Sequence, residues 1–85
     1  MNAVTHDALD SERAYQDATA ANWNHKGTPS LGEEILMLSE YVEQARKAWM
    51  ASSSNTEALT ILRKAGGVIC RAMDNRQTEV TYRVL

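Results

Sequence analysis

Between residues 31 and 49, six apolar side chains recur at alternating steps of four and three: Leu31, Ile35, Leu38, Val42, Ala45 and Trp49. That rhythm keeps all six on one side of an α-helix, whose period is about 3.6 residues. Glu33, Glu40, Glu43, Gln44 and Lys47 fall opposite them. Ser30 and Glu33 have the capping-box spacing, in which each side chain satisfies a free backbone N–H at a helix start. The pattern predicts a helix over 30–50. Small polar residues at 51–55 then make a turn, and Ser54 with Glu57 repeats the capping-box spacing. Ala58, Leu62, Ala65, Ile69 and Ala72 resume the four-three rhythm, flanked by Ile61, Val68 and Met73, which predicts a helix over 56–75. Two long helices joined by so short a linker must lie side by side and antiparallel. The expected core is therefore a hairpin of about 31–50 and 57–74, with Ile35, Leu38, Val42 and Ala45 meeting Leu62, Ala65 and Ile69. Ala58, Ala65 and Ala72 lie seven apart, so the partner helix can approach closely there.

The flanks say less. Residues 7–22 read as a weaker first helix, with Asp7 as its cap, Asp10 and Glu12 near its positive end, and a run of alanines. Its apolar stripe is thin. Asn, Gly and Pro mark 22–29 as a loop, pinned to the core by Trp23. At 79–85 the period changes: Val80, Tyr82 and Val84 alternate with Thr81 and Arg83, which is strand-like spacing. Such an extended tail can pair with its copy in another subunit, lie across the hairpin, or stay disordered. The whole, 1–85, reads as a single all-α domain.

At 85 residues the chain sits near the lower size limit for a stable core. Its one cysteine, Cys70, forms no internal disulfide, and His6 and His25 lack the spacing of a zinc site. A homo-oligomer is the expected remedy for so small a core. A net charge of −2 and a pI of about 5.6 provide no field that attracts nucleic acid. No apolar run approaches the roughly 20 residues of a membrane span, and the first residues have no charged-then-apolar signal pattern, so a cytoplasmic location is expected.

One charge pattern suggests chemistry. Arg63, Gly67 and Arg71 fall at i, i+4 and i+8 on one helix face, with Lys64 beside them. A glycine between two arginines leaves a notch flanked by guanidinium groups, which suits an anionic ligand such as phosphate. The alternative is a solvated basic face pairing with Glu40 and Glu43. Gly66 and Gly67 each cost a mid-helix position about 1 kcal/mol, so they serve close helix packing, close approach of a ligand, or both. Tyr41 and Trp23 can stack on a base as well as pack. No catalytic serine, phosphate loop or metal-ligand set appears, and Cys70 reads as a structural thiol beside the core.

Glu40 and Glu43 form an E-x-x-E step that resembles the magnesium-binding helices of all-α nucleoside triphosphate pyrophosphohydrolases. Those enzymes need a second acidic pair on the next helix, where this chain offers Arg63, Lys64 and Arg71 instead. A wider resemblance rests on Glu12-Arg13-Ala14-Tyr15-Gln16-Asp17 with Trp23, Gly32-Glu33-Glu34, Tyr41 to Trp49, and Leu62-Arg63-Lys64 through Gly67-Val68 to Arg71-Ala72-Met73. Together these resemble a family of small proteins of tailed bacteriophages and prophages. That family often ends its third helix in a Gln-His-Gly type sequence, where this chain has Asn75-Arg76-Gln77. The hairpin alone, with its Ser-rich turn and Ala58-Leu59-Thr60, is similar to the hairpin of phage anti-CBASS and anti-Thoeris sponge proteins. Those withhold cyclic nucleotide signals from host immune effectors. The resemblance implies a non-enzymatic, cofactor-free protein of the host cytoplasm that sequesters a cyclic or other phosphorylated nucleotide. Arg63, Lys64 and Arg71 would hold phosphate, Gly67 would allow close approach, and Tyr41 or Trp23 would stack on the base. The competing expectations are an interaction module that inhibits a host defence protein, and a metal-dependent nucleotide hydrolase.

Overall fold

A computed structural model describes residues 1–20, 29–52 and 54–81. The described chain is all-α: α1 spans Ala3–Ala20, α2 Leu31–Ala51 and α3 Thr56–Asp74. α2 starts where its capping box requires. The Glu33 amide donates to Ser30 Oγ at 3.2 Å, and the Ser30 amide donates to a Glu33 carboxylate oxygen at 3.2 Å. α3 starts differently from expectation, because Asn55 is its cap residue and makes no side-chain capping bond. Ser54 Oγ instead accepts from the Thr56 amide at 3.2 Å, so the second capping box does not form. α1 begins earlier than residue 7. Asn2 caps it by accepting from the Thr5 amide at 2.9 Å, and the intervening residues simply continue the helix.

No strand occurs among the described residues. In place of an extended tail, residues 75–79 form turns, with the Glu79 and Val80 amides both donating to the Arg76 carbonyl. Tyr82 and Val84 lie outside the described residues.

α3 is the middle helix: it packs on both α1 and α2, whose Cα atoms stay more than 8 Å from each other. The α2–α3 hairpin forms as expected, and Ala45 and Ala65 of the expected contact lie in its seam, but most of the large residues of the two stripes turn outward. Ala45 and Ala48 of α2 and Ala58, Ala65 and Val68 of α3 are buried. Leu38 is half-buried, whereas Ile35 (52 % exposed), Val42 (53 %), Leu62 and Ile69 (43 %) stay exposed. Small side chains let two helix backbones come close, so the alanine side of each helix closes on the other and the larger residues rotate outward. α1 meets α3 at Gly66 and Gly67. A Cβ on Gly66 would run into Leu9, and one on Gly67 would sit 2.7 Å from Glu12 Cγ and 2.9 Å from Gln16 Nε2. The two glycines therefore allow α1 to lie against α3. Arg13 adds an ion pair to Asp74 at the edge of this contact.

With about 100° between successive residues, the α1-facing glycines of α3 lie nearly opposite its α2-facing alanines. The three helices thus form a layer, with Cα extents of 42 × 41 × 22 Å. Its two faces differ. One carries Lys64 and Arg71; the other carries Leu62, Ile69 and Met73.

Candidate functional site

On the charged face, α1 and α2 stand apart over α3 and leave a groove of about 230 Å³. Lys64, Val68 and Arg71 form its floor. They recur at steps of four and three, so one face of α3 supplies all of them. Tyr15, Gln16 and Thr19 of α1 make one wall, and Met37 and Tyr41 of α2 make the other. A shallower hollow of about 400 Å³ continues toward Arg63 and Ala8, sharing Glu12, Tyr15 and Lys64 with the first.

The polar groups of the groove are unevenly satisfied. Glu12 is buried, and both of its carboxylate oxygens are engaged: Oε1 by Arg63 Nε at 3.0 Å, Oε2 by Gln16 Nε2 at 2.9 Å. Gln16 Nε2 also donates to the Lys64 carbonyl at 3.0 Å. Because both partners are acceptors, the amide nitrogen must face them, which leaves Gln16 Oε1 on the other side. That oxygen is buried without a hydrogen-bond partner, and so is Arg71 Nε. Among the described residues, neither the Arg71 guanidinium nor the Lys64 ammonium has a carboxylate partner. A buried donor left unmade costs about 1–3 kcal/mol, and more when charged.

The six residues anticipated from the sequence divide accordingly. Lys64, Arg71 and Tyr41 come together in the groove. Arg63 does not join them, because its guanidinium is the counter-ion of the buried Glu12 carboxylate. Nor does it pair with helix α2: Glu43 binds Arg46 one turn along, at 2.5 and 3.1 Å. Those hydrogen bonds hold the Glu43 carboxyl below its ordinary pKa. Gly67 offers no open notch, since Glu12 and Gln16 cover it. Trp23 lies outside the described residues. Cys70 is half-buried and free.

Tyr15, Gln16, Thr19 and Met37 escaped the sequence reading. Tyr15 and Thr19 do lie four apart on α1, but on a helix with so thin an apolar stripe nothing marks which face turns inward. Among the described residues no group of three or more His, Cys, Asp or Glu is placed to hold a metal ion. No family model, curated protein or solved structure matches the chain.

Proposed function

We propose that this chain is a non-catalytic binder of a phosphorylated nucleotide. Arg71 and Lys64 hold phosphate, and Tyr41 or Tyr15 stacks on the base. The observation that carries this reading is the buried, unpartnered Arg71 Nε beside Lys64 in a groove walled by two tyrosines. Arginine binds phosphate through directed hydrogen bonds, lysine adds a point charge, and an aromatic face accepts any base. In a phage-encoded protein such binding would sequester a host signalling nucleotide in the cytoplasm, as an anti-defence sponge does.

Titration calorimetry against a panel of cyclic and linear nucleotides tests the reading. Arg71→Ala should weaken binding by about 1.5–3 kcal/mol, the worth of a hydrogen bond to a charged group. Arg63→Ala should chiefly lower stability, because it strips the counter-ion from Glu12. Affinity should fall with salt, and EDTA should leave it unchanged. Hydrolysis that EDTA abolishes would establish the enzyme reading instead. The second reading, a module that inhibits a host protein, draws on the exposed apolar face of the hairpin. It predicts no nucleotide bound at 100 micromolar ligand, an outcome that overturns the sponge.

A further inference from the structure

The face opposite the groove has too much apolar surface for a lone chain. On α2, Leu31, Ile35, Val42 and Trp49 (62 % exposed) line one side, with half-buried Leu38 among them. On α3, Leu59, Leu62, Ile69 and Met73 do the same. Gly66 would interrupt this second row, but Leu9 of α1 lies over it. Both rows keep the alternating four-three spacing that packs helices at shallow angles. They run side by side, because α2 and α3 are neighbours.

We infer that this face binds a second copy of the chain, so that two α2–α3 hairpins close into a four-helix bundle. Three observations favour a copy over a foreign partner. The first is area. Eight large apolar side chains of the two rows stand 43–62 % exposed on one face. A face of that breadth is on the scale of the roughly 800 Å² that each partner contributes to a stable interface. The second is shape: α3 alone packs on two helices, so the described helices make one layer and the hairpin lacks the second layer that ordinarily covers such a face. The third is charge. No charged residue interrupts either row, so self-docking brings no like charges together at the centre. Nearby ion pairs, Arg46 with Glu43 and Arg13 with Asp74, are satisfied within one chain. A two-fold axis through this face leaves both grooves on the outside of the bundle, pointing away from each other.

Light scattering on the full chain decides the matter. The chain should show twice its 9.5 kDa mass at micromolar concentration. Val42→Lys with Ile69→Lys should give a folded monomer, with helicity followed by circular dichroism. Leu36→Lys alters an equally large exposed side chain (72 %) outside the row and should leave the dimer intact. Should the lysine pair unfold the chain, the milder pair Val42→Gln and Ile69→Gln must raise the dimer dissociation constant at least tenfold. A monomer at every concentration up to 100 micromolar overturns the inference. So does a dimer indifferent to all four substitutions on the face, or one broken by Leu36→Lys.

Discussion

Glu34 is the most deeply buried charged group in the described chain, at 2 % exposure, and its neighbour Arg76 explains how it is tolerated. Arg76 Nη1 donates to Glu34 Oε1 at 3.3 Å and to the Ala72 carbonyl at 2.9 Å, while Nη2 donates to the Pro29 carbonyl at 3.2 Å. One guanidinium thus ties the residues after α3 to the start of α2. Arg76→Ala leaves a buried carboxylate whose second oxygen already has no partner. It should destabilise the fold by about 3 kcal/mol, measured by urea unfolding at fixed protein concentration. Replacing both, Glu34→Met with Arg76→Met, should restore most of that loss, because an apolar pair needs no counter-ion. The glycine pair permits a finer comparison. The obstacle to a Cβ on Gly66 is the flexible end of Leu9, so Gly66→Ala should be near neutral once alanine's helix preference of about 1 kcal/mol is included. On Gly67 the obstacles are Glu12 Cγ and the amide of Gln16, both held by hydrogen bonds. Gly67→Ala should therefore lower the melting temperature where Gly66→Ala does not.

At the level of elements, the hairpin was legible because its signals are local: a capping box at Ser30, a four-three rhythm, and a turn too short for any other arrangement. Which side of each helix turns inward was legible only in part: Ala45, Ala58 and Ala65 lie on the expected stripes and are buried, but the large residues of the same stripes are not. Hydrophobic spacing points to the large residues, whereas the seam follows Ala45, Ala48, Ala58 and Ala65, where backbones can approach most closely. The attachment of α1 was invisible for another reason. Glu12 and Arg63 stand 51 residues apart, and no local pattern around either residue points to the other. α1 rests on α3 alone, so its amides should exchange with solvent before those of α2 and α3 in hydrogen-exchange measurements. Glu12→Ala removes the acceptor of both Arg63 and Gln16 and should weaken the α1 attachment by about 2 kcal/mol. Protection in α1 should fall while that of the hairpin persists. Within α2, the depressed pKa of Glu43 sets a sign. A carboxyl bound more strongly when ionised adds stability above its ordinary pKa and loses it as pH falls through the lowered value. Acid titration of Glu43→Gln should lack that small loss.

For the whole molecule, the consequence of a single helix layer is that the two proposed roles, ligand binding and self-association, would sit on separate faces. The charged groove and the apolar rows lie on opposite sides of α3, and no residue belongs to both. Ligand binding and assembly should therefore fail independently. Arg71→Ala should reduce nucleotide-induced stabilisation and leave the mass of the assembled species unchanged. Val42→Lys with Ile69→Lys should yield monomers that still bind one nucleotide each, with affinity within a few-fold of the parent. The thermal midpoint provides a check that needs no ligand. If folding and association are coupled, as a core of four alanines and one valine among the described residues implies, the midpoint must rise with protein concentration. In the Val42→Lys, Ile69→Lys monomer it should be lower and flat. Differential scanning calorimetry over a hundredfold range of concentration separates the two behaviours. A parent midpoint that does not move with concentration would mean that each chain is stable alone, and the apolar rows would then contribute nothing to its folding.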